Sequence, residues 1–126
     1  YDPWNAPQLA LKLGDEDGFS MVEFRQGYKS MNAPTKELEK LVLQSKIVHF
    51  NNPVLRWMVS NAQITEDPAG NVKLVKPNKD SPEKIDGAIV LAMCVGMSIA
   101  EKQQDSSVFE KDSEDFDKIL KEVYGK

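Results

Sequence analysis

An α/β fold is what this sequence predicts, and three observations carry that expectation. Ala6, Leu9, Ala10 and Leu13 recur at helical spacing. Phe19 to Gln26 is rich in β-favouring residues and is bounded by Gly18 and Gly27. Asp67-Pro68-Ala69-Gly70-Asn71 has the composition of a hairpin turn between two short apolar stretches.

The chain opens on Tyr1 rather than Met, so it reads as a piece of a longer protein that starts near the end of a strand. Asp2-Pro3-Trp4-Asn5 then predicts a turn into a first helix, with Asp2 as N-cap, Pro3 at the first helical position and Gly14 as the stop. In open α/β sheets a junction of this kind, at the carboxyl end of a strand, is where ligands tend to bind. Phe19 to Gln26 follows as a strand. Thr35 reads as the cap of a second helix, with Leu38, Leu41, Val42 and Leu43 as its buried stripe and Lys36, Glu37, Glu39 and Lys40 as its wet face. Ile47 to Phe50 is too short to assign.

Asn52-Pro53 starts a third helix, defined by Val54, Leu55, Met58, Val59 and Ala62. Gln63 to Thr65 and Val72 to Val75 flank the turn and predict a hairpin at a sheet edge. Ser81-Pro82 reads as the cap of a long helix through about Ala100, which puts Lys84 and Asp86 in or near its first turn. The chain turns polar after Glu101. Phe116, Ile119, Leu120 and Val123, behind a Ser113 cap, then predict an amphipathic C-terminal helix. The expected division is one domain over 1–103, then a polar linker with that helix over 104–126.

Hydrophobic residues make up 40% of the chain, enough for one modest core. Cys94 is the sole cysteine, which excludes an internal disulfide framework and a Cys-based zinc site and points to a reducing compartment. The longest uncharged stretch, Gly87 to Ala100, has 14 residues, short of the roughly 20 needed to span a bilayer, so no membrane role is expected. The net charge of −4 is uneven: residues 1–24 hold five acids and one base, residues 25–84 ten bases and six acids. That basic middle is compatible with a nucleic-acid partner and too modest to identify one.

Asp86 heads the longest apolar run, Ile85 to Met93, where an ionised carboxylate asks for a cation, a donor or a wet cleft. Asp2 and Asp86 each stand at a predicted helix start, and carboxylates so placed can converge on a divalent cation; helix capping is the competing role for both. Gly87 leaves space beside Asp86 for a phosphate or for close helix packing. Lys84, two positions earlier, is a phosphate contact or a solvated charge. His49, the lone histidine, reads as a core or loop residue, and Trp4 and Trp57 as packing residues. Asp15-Glu16-Asp17 reads as a solvated turn. No serine nucleophile elbow, Gly-rich phosphate loop or Cys/His pairing is present.

Five stretches, in order and spacing, resemble the large terminase subunit of tailed bacteriophages in the C-terminal part of its nuclease domain. They are Tyr1-Asp2-Pro3-Trp4-Asn5-Ala6; Phe24-Arg25-Gln26-Gly27; Ala33-Pro34-Thr35-Lys36-Glu37-Leu38-Glu39; Ile47 through Met58, with Asn52-Pro53-Val54-Leu55-Arg56-Trp57-Met58 the most specific; and Lys84-Ile85-Asp86-Gly87-Ala88. The resemblance covers roughly residues 1 to 100. It implies an RNase H-like α/β domain, partial because the first strands lie upstream, with a mixed sheet and flanking helices. It further implies Mg²⁺ or Mn²⁺ as cofactor and two-metal hydrolysis of concematemeric double-stranded DNA, with Asp2 matching the strand-end carboxylate and Asp86 the carboxylate near the start of the last core helix. A further family acid comes from the first strand, upstream of Tyr1.

Double-stranded DNA, the portal, the procapsid and the small terminase subunit are the partners the resemblance implies, in the cytoplasm of a bacterial host. The absent strands imply an exposed sheet edge open to self-association. A phosphate loop for a packaging motor is absent from the sequence. Two other readings remain open at this point: a non-catalytic DNA- or partner-binding module, and another RNase H-like nuclease such as a transposase or resolvase relative.

Overall fold

The computed structural model describes residues 1–4 and 6–103. The expected linker and C-terminal helix over 104–126 lie outside the described residues. The chain divides into two compact units, Tyr1–Gly96 and Met97–Lys126. Described elements are α1 (Pro7–Asp15), α2 (Tyr28–Leu43), α3 (Pro53–Asn61), β1 (Gln63–Glu66), β2 (Val72–Val75) and α4, helical over 86–103. Among the described residues no helix is long and apolar enough to cross a membrane.

The core forms where α2 meets α4. Met31 and Leu38 stand seven positions apart on one face of α2, and Ala92 of α4 packs against them with no exposed surface. Ala88 and Ala92, four apart and both buried, give α4 a flat face. Gly96 continues that face one turn on: a Cβ there would lie 2.7 Å from two ring atoms of Phe24 and 2.9 Å from Cγ of Pro34. The backbone of α4 therefore reaches as close to α2 as glycine allows.

Several boundaries differ from the sequence expectations. Helix α2 begins at Tyr28, seven residues before Thr35, and carries Pro34 in its interior. Ala33-Pro34-Thr35 has the chemistry of a helix start, since proline lacks the N–H and disfavours helix in the residue before it. Packing of Met31 in the preceding turn overrides that preference. Thr35 is consequently a buried mid-helix residue whose Oγ1 has no hydrogen-bond partner, not a cap. Val42 and Leu43, expected inside, are exposed on the last turn.

Helix α1 starts at Pro7 behind Ala6, whose side chain makes no cap, and runs past Gly14. Asp2 is not its N-cap. Residues 18–26 form neither helix nor strand. They meet Tyr1 in the two-bond pattern of a parallel bridge: the Tyr1 amine donates to Val22 O at 2.7 Å, and the Phe24 N–H donates to Tyr1 O at 2.7 Å. One bridge around Glu23 is too short to make the expected strand, yet its sense is that of a strand–helix–strand crossover through α1. Trp4 is exposed rather than packed, as are Leu9 and Leu11 of α1.

The hairpin forms as expected. β1 and β2 pair antiparallel, Gln63 opposite Val75 and Glu66 opposite Val72. Its tip is closed by Asp67, whose Oδ1 accepts the N–H groups of Ala69 and Asn71 and whose Oδ2 accepts Asn71 Nδ2. Among the described residues the ribbon is a two-stranded sheet that lies on α2: Asn32 Oδ1 accepts the Val72 N–H at 3.1 Å, and the Lys73 ammonium sits 4.6 Å from the centre of the Tyr28 ring. Bonds from the Asn71 side chain and then its backbone hold the Asp67 carboxyl below the ordinary aspartate range. A depressed folded-state value means the turn's contribution is present above the unfolded value, about 3.9, and is lost as pH falls through the lower folded one. Carboxyl NMR titration of Asn71→Ala should accordingly move the Asp67 midpoint upward, towards that unfolded value.

Between α2 and α3 the chain uses left-handed backbone at Ser45, Phe50 and Asn51, with φ of 53°, 49° and 57°. Ser45 sits just past α2. Its N–H donates to Val42 O and that of Lys46 to Leu41 O, the two-bond ending in which glycine is usual. Left-handed backbone costs a non-glycine residue about 1–2 kcal/mol, against roughly 0.4–1 kcal/mol of extra unfolded-state freedom for glycine. Ser45→Gly should thus stabilise the fold by about 0.5–1 kcal/mol, read as a higher denaturation midpoint. At the far end of this loop Asn52 caps α3 as expected, its Oδ1 accepting the N–H groups of Val54 and Leu55, with Pro53 at the first helical position.

Candidate metal and nucleic-acid site

Side chains of α3 shape the start of α4. Leu55 and Met58 face Gly87, where a Cβ would lie 2.8 Å from Met58 Sδ and 3.2 Å from Leu55 Cδ1. Met58 Sδ accepts the Gly87 N–H at 3.0 Å, and the buried Asn61 donates from Nδ2 to Lys84 O at 3.1 Å. Of the two uses open to Gly87, the structure displays close helix packing. Helix α4 begins at 86, later than Ser81-Pro82 suggested. Ser81 serves a local turn instead, accepting the Glu83 N–H and donating to Glu83 Oε2.

Asp86 is therefore the first helical residue, and it faces solvent. The helical period explains how a carboxylate that heads an apolar run still reaches water. Ile85, Ala88 and Ala92 turn inward, while Asp86, Val90 and Cys94 share the outer face. Among the described residues no hydrogen bond or ion pair engages the Asp86 carboxylate, and the positive end of α4 lies beside it. Lys84 is likewise exposed, just outside the helix.

Asp2 is half-buried next to the Tyr1 bridge, and its Oδ1 accepts the Trp4 N–H at 3.1 Å in a local turn. No bond among the described residues links Asp2, Lys84 and Asp86 to one another, and none of the described His, Cys, Asp and Glu side chains form a group of three or more able to hold a metal. Asp15 and Asp17 are exposed, and Glu16 pairs with Lys12 along α1 at 4.0 Å. The donor set fits a hard divalent cation in kind, since carboxylate oxygens with few competing bonds are what Mg²⁺ and Mn²⁺ take. It does not by itself supply the ligands for two cations.

A separate cleft of about 290 Å³ opens where α2 ends, with Val42, Ile47, Leu55 and Leu91 as apolar walls and His49 and Arg56 as polar ones. His49 is an exposed loop residue here, not a core one, and Phe50 beside it is 94% exposed. Arg56 is held by Asn51, which accepts from its Nη1 at 2.9 Å. Trp57 on the same helix is also exposed, contrary to its expected packing role. Arg56 and Asn61 were not singled out from the sequence. For Asn61 a signal exists: it falls three positions after Met58 on the inward stripe of α3, a polar residue at an apolar station.

Fold and site together define a small mixed α/β domain that offers carboxylates at a bridge end and at a helix start. The chain belongs to the family of the terminase large subunit, endonuclease domain, which matches residues 1–102. It is 37% identical over 106 residues to Protein YmfN of Escherichia coli (strain K12), covering 83% of this chain and 23% of that protein. To the terminase large subunit of Enterobacteria phage HK97 it is 35% identical over 112 residues, covering 87% of this chain and 22% of that protein. The crystal structure of the HK97 bacteriophage large terminase superposes with a TM-score of 0.65 at 36% identity, covering 77% of this chain and 20% of that one. The chain thus spans under a quarter of the length of the relatives it matches.

Proposed function

We propose that this chain is the C-terminal part of an RNase H-like, metal-dependent endonuclease domain in a phage terminase large subunit, which cuts concatemeric double-stranded DNA by two-metal phosphodiester hydrolysis. The observation that carries the reading is Asp86: an uncommitted carboxylate on the first turn of α4, in a chain that belongs to the endonuclease-domain family.

Asp86 and Asp2 would hold Mg²⁺ or Mn²⁺, which when bound supplies Lewis-acid polarisation of the scissile phosphate and a water of lowered pKa. Lys84 places an ammonium next to Asp86 in sequence and neutralises phosphate charge. The positive end of the α4 dipole favours an anion in the same place. Basic residues between 25 and 84 hold the duplex backbone, a contribution that weakens with salt. A further carboxylate comes from a strand upstream of Tyr1. The portal, procapsid and small terminase subunit are the assembly partners, in the cytoplasm of a bacterial host.

Mn²⁺ titration followed by NMR tests this reading. Selective broadening of the Asp2 and Asp86 signals is the expected result. Unperturbed signals at millimolar Mn²⁺, in a chain that also carries the upstream strands, would overturn it.

A further inference from the structure

Asp86 has no side-chain bond of its own among the described residues, so its position is set by the backbone on either side. Both sides are held by α3. Asn61 Nδ2 donates to Lys84 O at 3.1 Å, two residues before it, and Met58 Sδ accepts the Gly87 N–H at 3.0 Å, one residue after it. Ile85, between the two attachments, is buried. The arrangement fixes the main chain and leaves both carboxylate oxygens available.

Of the two attachments, the one through Asn61 is the more directional. An amide donor to a carbonyl has a narrower geometry and a stronger bond than an N–H to a thioether, which is a weak acceptor. Asn61 is also one of only two buried polar residues among the described ones, the other being Thr35. A buried amide is retained at a cost unless its bonds are made, and this one makes its bond to the segment that carries Asp86.

We propose that Asn61 is a positioning residue for the Asp86 carboxylate: its amide locks Lys84 O and so sets where Asp86 enters α4. This rests on the reading of Asp86 as a metal ligand. Residues that orient a ligand without touching the metal typically change affinity by about 10–100-fold when removed. Asn61→Ala should therefore raise the Mn²⁺ concentration for half-broadening at Asp86 about tenfold, in the full chain and at a temperature where it remains folded. Leu38→Val loosens the core without touching α3 or Lys84 and should leave that concentration unchanged. A role confined to stability would lower the denaturation midpoint of both variants and leave the Mn²⁺ response of the folded chain alone; that result overturns the proposal.

A second measurement needs no metal. Amide exchange at Gly87 and Ile89 should quicken in Asn61→Ala, while exchange in β1 and β2 stays as in the parent. If the parent shows no Mn²⁺ response at Asp86 even in a chain that also carries the upstream strands, the metal reading itself fails, and exchange then decides the placement of the segment: unchanged exchange at 87 and 89 removes any positioning role for Asn61.

Discussion

Gly96→Val should lower the denaturation midpoint of the Tyr1–Gly96 unit sharply, and Gly96→Ala should lower it less. A Cβ at 96 would stand 2.7 Å from the Phe24 ring and 2.9 Å from Pro34 Cγ. Both obstacles are rigid rings, and Pro34 is buried within α2. Alanine brings an intrinsic gain of about 0.8–1 kcal/mol over glycine in a helix interior. Overpacking costs about 1–3 kcal/mol, so the balance for alanine falls on the destabilising side by up to about 2 kcal/mol. Valine adds two methyl groups against the same rings and gives back part of the helical gain through its branched Cβ. Its cost falls at or beyond the upper end of that range, a large part of a domain's usual 5–15 kcal/mol. Gly87 provides the contrast. Its Cβ would meet the sulfur of a flexible methionine, which can turn away, so Gly87→Ala should be milder. A midpoint raised by Gly96→Ala would show that α2 and α4 are not in such close contact.

Local chemistry made part of this fold legible. Asn52-Pro53 predicted a cap and a first helical residue, and both appear, because the bonds involved close within three residues. Asp67 to Asn71 predicted the hairpin tip for the same reason. Expectations failed where a distant contact outweighed a local preference. Ala33-Pro34-Thr35 reads as a helix start, and only the burial of Met31 against α4 carries α2 through it. Phe19 to Gln26 has strand composition, but a strand exists only with a partner, and Tyr1 alone supplies one bridge. Exposure of Leu9, Leu11, Phe19 and Trp4 belongs to the same problem: apolar pattern says which residues can be buried, not what is there to bury them.

The site divides along the same line. Asp86 is identifiable because a charge at the head of an apolar run is unusual, and period 3.6 then sends position 86 outward and 85, 88 and 92 inward. Asp2 has both a cap's place before proline and the place of a metal carboxylate; its carboxylate closes a turn on Trp4 and caps no helix. Asn61 could not be assigned a partner from sequence, since Lys84 lies 23 residues away, on the far side of the hairpin in the chain.

Asp86→Asn separates the metal reading from a structural one by the relative size of two effects. As the first residue of α4, Asp86 gains about 0.3–1 kcal/mol from the helix dipole, and the neutral amide forfeits that and no ion pair. Without metal the variant should therefore fold, with a slightly lower midpoint. With metal the difference grows. A cation present at 100 times its dissociation constant stabilises the folded chain by about 2.7 kcal/mol, and a hundredfold weaker site leaves about 0.4 kcal/mol of that. Thermal unfolding with and without Mn²⁺ should thus show a marked shift for the parent and almost none for Asp86→Asn. In a terminase large subunit carrying this chain, plasmid cleavage should fall by about 100-fold or more, since the ligand holds the group that polarises the phosphate. DNA retention should stay within about twofold, because loss of a negative charge does not weaken contacts to phosphates. Equal cleavage by parent and variant would remove Asp86 from the reaction. Absence of cleavage by either, with retention intact, would make this face of the domain a DNA-holding surface instead.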